Sequence, residues 1–392
     1  MKIIAVDWGK DTRKRSAYIS DLHARLISRL PFDGRLSHLL EHAVTLQGPV
    51  LIGIDAAIGF PAADWKILAN RNTSQEPGFA KFLLGSAVPA DFFEPVSRPS
   101  DWSPERPFIS PPRGRWSLKA FEAASRGGFY RRIDRRLKAQ PIFVTSGIPG
   151  SVGSGTRALW QELREFHERF SFSIWPFHGA INELLRNGHP VIAEIYPKAC
   201  YGIALSEKLP APLLSIAKTK QPVRQHALEM LLETAWIIRE QIVIDDLHAA
   251  IENEDDFDAL VSAAALTRLF LENASLDDKD ETNEIESKIE GSVLGATSID
   301  CTTGSLRYTQ TGHRTERTKG RQSNEAQPCR CPIPGCVYVY RKGRSGWDAH
   351  VASVSRHPDW HPVVRDAARR KKLFRLEFPE WFARASRNPG KS

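Results

Sequence analysis

The run IIAVDWG at residues 3–9 decides the fold of this chain. Apolar residues without polar alternation read as a strand buried on both faces, and the closing Asp-Trp-Gly places Asp7 at the strand end, within reach of a ligand. VLIGIDAAIG at residues 50–59 repeats the design, with Asp55 as its single acid and Pro61 as its stop. Two buried strands that each present one carboxylate point to a metal site between neighbouring strands. The plainer reading of either motif is an acid that caps a turn.

Working outward, Ser16–Ile19 and Arg25–Leu30 read as strands that complete an antiparallel meander with the first. Leu36, Leu39, Leu40 and Ala43 recur at helical intervals across 36–45 and lead into the Asp55 strand. Further on, Phe172–Trp175 and PVIAEIYPK at 190–198 are strands, the second carrying Glu194 and stopped by Pro197. Gln225–Ile238 reads as an amphipathic helix covering the core, and Ser292–Ala296 as an edge strand.

Residues 61–150 interrupt this order with prolines, tryptophans and arginines, and read as a long insertion with short helices around Leu118–Ala124 and Phe129–Leu137. From Arg98 to Lys138 there are 11 Lys+Arg against 4 acids, interleaved with Trp102, Trp116, Phe121, Phe129 and Tyr130. Arginines such as Arg98, Arg131, Arg132 and Arg135 among aromatics are what phosphate contact plus base stacking requires. A solvated helix with a packed aromatic face is the alternative. GIPGSVGSGT at 147–156 precedes a helix and offers backbone amides to a phosphate, but it lacks the lysine of a P-loop, so a flexible turn serves equally.

EDDFDALVSAAAL at 254–266 reads as the start of a buried, alanine-rich helix with Asp255 and Asp258 on one face. Acids in a first turn suit the helix dipole; so many in so few positions go beyond that need and point to divalent-metal ligands.

At 392 residues and 41% hydrophobic, the chain has enough apolar surface for a true core. No apolar run is long enough to span a bilayer and the N-terminus lacks a signal pattern, so the expected location is the cytoplasm, with no membrane partner. Charge is uneven: residues 302–392 carry 19 Lys+Arg against 7 Asp+Glu, and the preceding 301 carry 35 against 39. That asymmetry, with Arg369, Arg370, Lys371 and Lys372 in one run, points to a polyanionic partner for the C-terminal part.

Residues 299–328 contain hardly an aliphatic side chain in their Thr-, Gly- and Arg-rich body and read as a flexible linker. Beyond it, Cys331, Cys336, His350 and His357 form C-x4-C-x13-H-x6-H, which resembles a C2H2 zinc finger of ββα form over residues 329–362, followed by a basic tail over 363–392. Two thiolates and two imidazoles suit tetrahedral Zn²⁺, with Tyr340 and Trp347 where the finger keeps its core hydrophobes, and metal supplying the folding energy. His361 competes with His357 as fourth ligand.

Residues 1–298 resemble the DUF429 family, proteins of unknown function with a predicted RNase H-like nuclease fold. The resemblance rests on AVDWG with Asp7, GIDAAIGFP with Asp55, RRIDRRL around Asp134 and Arg135, GSVGSGT, AEIYPKA with Glu194, and EDDFDAL. It implies an α/β fold, a mixed five-stranded sheet with flanking helices. An acid on the first strand, one on the fourth and an Asp-x-x-Asp pair on a late helix is similar to the Holliday-junction resolvase branch. That similarity gives Asp7, Asp55, Asp255 and Asp258 the role of holding two Mg²⁺ or Mn²⁺ ions for phosphodiester hydrolysis. Glu194 has no counterpart in that set and is either a ligand or a supporting acid. The rival class is a protein that binds nucleic acid or another protein without cutting. A sugar- or nucleotide-handling enzyme is disfavoured, because Gly9 is the sole trace of a phosphate turn after the first strand.

Overall fold

The computed structural model describes residues 1–71, 78–125, 129–148, 152–277, 288–302, 306–308, 329–333, 336, 339–340, 359–360 and 367–378. They fall into two units, Met1–Arg317 and Thr318–Ser392.

The first unit is a mixed α/β structure. Its strands are β1 (Lys2–Asp7), β2 (Ser16–Asp21), β3 (Leu26–Arg29), β4 (Val50–Ile54), β5 (Ser173–Ile174), β6 (Val191–Glu194), β7 (Ala211–Pro212), β8 (Leu214–Ile216) and β9 (Val243–Ile244). All but β7 and β8 join one sheet in the order β5-β6-β4-β1-β2-β3-β9. Its neighbours pair in parallel except where β2 meets β1 and β3. The five-stranded sheet implied by the resemblance is therefore corrected to seven. The additions are β5, which falls within the strand read at Phe172–Trp175, and β9, whose two residues are too few to leave a periodic pattern in sequence.

Strand alternation divides the core in two. Ile3, Ala5, Leu51, Val191, Ala193 and Ile195 pack on one face, against α3 (Pro197–Leu205) and α4 (Glu254–Leu271). Ile4, Val6, Ile52, Ile54 and Ile192 pack on the other, against α1 (Leu36–Thr45) and α2 (Gly153–Phe166). Helix α4 lies close on the sheet because alanines 259, 263, 264 and 265 form its buried surface and because Gly53 faces it. A Cβ at Gly53 would stand 2.8 Å from Leu266 Cδ1 and 2.9 Å from Ile195 Cγ2.

Four further expectations change. The insertion contributes to the core: Trp102, Phe121 and Phe129 are buried while Trp116 and Tyr130 are half-buried, and the Trp102 indole donates to the Pro107 carbonyl (3.1 Å). The helix read over Gln225–Ile238 is two helices, Gln221–Glu233 and Ala235–Glu240, broken at Thr234. Residues 292–296 form no strand; the pairing segment lies just beyond. The start of the expected linker is ordered, with β10 (Ile299–Asp300) parallel to β7 and β11 (Leu306–Tyr308) parallel to β8. Main-chain pairing needs no aliphatic run, so composition did not reveal it.

In the second unit, β12 (Cys329–Arg330) and β13 (Val339–Tyr340) pair antiparallel around Cys331 and Cys336. Helix α5 (Ala367–Glu377) falls in the expected basic tail. Its Phe374 packs with Cys331 and Ile333, and Trp360 and Phe378 complete the cluster. A finger of 329–362 with no core but its metal is thus corrected: the tail supplies hydrophobic packing to the cysteine knuckle. Among the described residues no helix is long and apolar enough to cross a membrane.

Candidate functional site

Parallel pairing of β1 with β4 sets Val6 opposite Ile54, and the Asp55 amide donates to the Val6 carbonyl (3.0 Å). Asp7 and Asp55 therefore stand level at the ends of adjacent strands, on the face that α4 covers. The carboxyl ends of parallel strands are where open α/β sheets take their ligands. Helix α4 begins beside them. Asn253 caps it, its side-chain oxygen accepting from the amides of Asp255 (2.7 Å) and Asp256 (3.3 Å).

The three aspartates of that first stretch diverge in role. Asp256 turns to β3 and is gripped by Arg29 through two bonds of 2.9 and 3.0 Å. Asp255 and Asp258 join the strand acids. The charge of Asp255 adds to those that raise the Asp7 carboxyl, so the helix acid and the strand acid act on each other. Asp258, 1% exposed, accepts from the Tyr201 hydroxyl on α3 and from the Lys218 ammonium.

Burial, then the charges of Asp258 and Asp55, raise the Asp7 carboxyl well above the usual carboxylate range. Burial and the charge of Asp258 push Asp55 up to about 8. Asp255 and Asp258 are also raised by burial, with Lys218 opposing the shift at both. Against burial, which lowers it, Asp258 and Asp7 hold the Lys218 ammonium above its ordinary value. All four carboxyls are thus shifted toward holding their protons, and the Lys218 contact with Asp258 offsets part of the repulsion. As these side chains stand, no three His, Cys, Asp or Glu residues among the described ones are grouped to hold a metal ion. The donor set itself is all carboxylate oxygen, the chemistry that suits Mg²⁺ and Mn²⁺.

Glu194 does not belong to this set. It pairs with Ile54, one residue out of step with Asp55, so it projects to the opposite face of the sheet. There Arg131 binds both its oxygens at 2.7 Å, and the Ile58 amide adds a third bond at 2.7 Å. Arg131 also grips Asp134 (2.8 and 3.1 Å) and donates to the carbonyls of Ile58 and Glu290. At 1% exposure, Arg131 is a core clamp and not a nucleic-acid contact, which corrects the reading of both residues.

Arg98, Arg132 and Arg135 are exposed, as is Lys372. Arg370 is buried, its guanidinium donating to the Trp360 carbonyl (3.0 Å) and stacked 4.9 Å from that ring, so it too leaves the set of phosphate contacts. The side chains of Arg369 and Lys371 lie outside the described residues. Cys331 and Cys336 are both reduced thiols, and burial pushes the Cys331 thiol up to about 12. His350, His357 and His361 lie outside the described residues.

Gly155, in the glycine-rich loop, is explained by packing: a Cβ there would stand 2.6 Å from the Trp8 carbonyl. Its absence lets the start of α2 close on the end of β1, over a cleft lined by Asp55, Tyr196 and the first turn of α2. Sequence reading missed Lys218 and Tyr201. Tyr201 lies two residues beyond the AEIYPKA motif and was open to inspection; Lys218 sits in a loop with no pattern to mark it. Comparison with known protein families, curated proteins and solved structures gives no match.

Proposed function

We propose that the chain is a divalent-metal-dependent nuclease on an RNase H-like scaffold, with Asp7, Asp55, Asp255 and Asp258 as its acidic centre. The observation that carries this reading is the convergence of two in-register strand-end carboxylates with two from the first turns of α4. A meander of three strands, a helix and a parallel fourth strand supports the scaffold. Asp7, which interacts with Asp258, Asp55 and Asp255, would be a ligand shared by the metal ions. Mg²⁺ or Mn²⁺ held there would activate a water and stabilise the leaving oxygen of a phosphodiester. The chain supplies the rest. Tyr201 and Lys218 fix Asp258, and α4, packed tightly through Gly53, keeps its two acids aimed at the strand ends. Exposed Arg98, Arg132 and Arg135 supply phosphate contacts. The second unit is proposed to hold Zn²⁺ through Cys331, Cys336, His350 and His357 and to help bind nucleic acid.

One observation favours the rival, a nucleic-acid binder without cleavage: Lys218 already pairs with Asp258 and compensates the acids. A screen of branched, single-stranded and hybrid substrates with Mg²⁺ and Mn²⁺ separates the two. Product that vanishes in Asp7→Asn supports the nuclease; no product from any substrate leaves the binder.

A further inference from the structure

Both carboxylate oxygens of Asp258 are taken. Oδ1 accepts from the Tyr201 hydroxyl and Oδ2 from the Lys218 ammonium, in a side chain 1% exposed. A divalent ion needs at least one of those oxygens to count Asp258 among its ligands. Tyr201 is buried on α3 and has nowhere to go. The Lys218 side chain is 34% exposed, so its ammonium has a way out to solvent.

The backbone explains why the lysine stands there. Lys218 lies in the turn between β8 and the helix Gln221–Glu233, which the Lys220 amide closes on the Ala217 carbonyl (3.0 Å). Buried Arg224 donates to the Lys218 carbonyl and also to the carbonyls of Ile251 (2.9 and 2.6 Å) and Glu252 (2.9 Å). Those two residues end the helix Leu247–Glu252, directly before Asn253, the cap of α4. One guanidinium thus ties the turn of Lys218 to the start of the helix that carries Asp255 and Asp258. The main chain is fixed, while the ammonium on its flexible stem can move.

The charge of Lys218 acts on each of Asp7, Asp55, Asp255 and Asp258, opposing the rise of all four carboxyls. A cation felt by every member of the cluster stands where an incoming metal ion would be drawn, and two cations on one carboxylate oxygen repel each other.

We infer that Lys218 is the resident counter-ion of the acidic centre: it holds Asp258 in the metal-free protein, and a divalent ion enters by displacing its ammonium from Oδ2. The inference rests on the acidic centre being a metal site, as proposed above, and not on cleavage. Lys218 therefore stabilises the metal-free fold at the expense of metal affinity.

Mn²⁺ titration of the full chain, followed by the electron paramagnetic resonance of the free ion, tests it; only binding that Asp7→Asn weakens is counted. Lys218→Met keeps the stem and removes the charge. Its Mn²⁺ affinity rises about tenfold or more, the scale of one charge-assisted hydrogen bond, while its metal-free melting temperature falls. Lys218→Arg keeps the charge and stays close to the wild type in both. A lysine that merely supports the fold gives the opposite sign, with Mn²⁺ affinity falling alongside stability. In the wild type, an amine-acylating reagent read by mass spectrometry labels Lys218 several-fold faster with saturating Mn²⁺ than without, relative to the other lysines; this arm serves if Lys218→Met does not fold. Equal or weaker Mn²⁺ binding in Lys218→Met, or labelling of Lys218 unmoved by saturating Mn²⁺, overturns the inference and leaves the metal centre standing. Mn²⁺ bound by neither protein overturns the metal centre and the inference with it, whereas Mn²⁺ bound by Lys218→Met alone supports both. The expected pattern in a chain that cuts no substrate removes the nuclease reading and keeps the role of Lys218.

Discussion

Asp7 is the residue on which the acidic centre turns, because it feels the charges of Asp258, Asp55 and Asp255 together. Asp7→Asn removes a proposed metal ligand and one ionisable group. Cleavage should fall by about two orders of magnitude or more, at least the scale of losing a metal's supporting group. Nucleic-acid affinity should hold or rise, and the metal-free protein should melt a few degrees higher near pH 8 as repulsion is relieved. The same shifts set a pH dependence. A carboxyl whose pKa is raised on folding binds more protons folded than unfolded. Its stabilising effect is complete below the unfolded value near 3.8 and is lost as pH climbs toward about 8, where Asp55 ionises. The charges acting on Asp55 are those of Asp258, Lys218 and, from the other face of the sheet, Glu194, and Asp7 and Asp255 adjoin it. Chelator-treated protein should therefore lose stability from pH 5 to pH 8, and added Mn²⁺ should restore more of it at pH 8 than at pH 5, since metal must displace the protons. A melting series that rises over that interval would show that the acids do not face one another. Arg131 belongs to the fold: Arg131→Ala strands Glu194 and Asp134 in the core and should cost about 3–5 kcal/mol, read by chemical denaturation.

Helix α4 and the strands beneath it form the element pair that aims the acids. Their separation is set by small residues, Gly53 on β4 and the alanines of α4, so the site's geometry is encoded in what these positions lack. Gly53→Ala should force Leu266 or Ile195 aside, cost about 1–3 kcal/mol, and reduce cleavage by moving Asp255 and Asp258 away from the strand ends. Wild-type activity in a destabilised Gly53→Ala protein would show that the helix does not position the acids. The insertion shows the opposite relation. Its Arg and aromatic residues look in sequence like one binding surface, yet Trp102, Phe121, Phe129 and Arg131 turn inward while Arg98, Arg132 and Arg135 turn out.

The whole molecule joins the α/β unit to a basic second unit. If Cys331 and Cys336 hold Zn²⁺, the purified chain carries about one equivalent, and Cys336→Ser releases it. Because Phe374 packs on this knuckle, the segment exposed to protease on metal loss should extend through α5, past residue 362, while residues 1–300 stay intact. Metal analysis of protein purified without chelator checks the first point and limited proteolysis the second. Replacing exposed Arg98, Arg132, Arg135 and Lys372 with glutamine should lower the salt slope of nucleic-acid binding by about 0.9 for each duplex phosphate no longer neutralised, equally for unrelated sequences. An unchanged slope would take these four residues out of the interface.

The sequence by itself determined the strand order through β4, the position of α1 and the strand-end placement of Asp7 and Asp55, because each is a local consequence of periodicity and of a carboxylate ending an apolar run. It also marked Asp255 and Asp258, whose spacing places them on one helix face. What only the tertiary structure decided was partnership. Glu194 looks like Asp55 in sequence, each a lone acid at the end of a buried strand. Register puts Asp55 against the acids of α4 and Glu194, out of step by one residue, against Arg131 on the other face. Lys218 carries no pattern in its own segment and enters the site through contacts with groups 40 residues away and farther. Burial and charge at such a site are sums over segments distant in sequence, and chain packing alone fixes them.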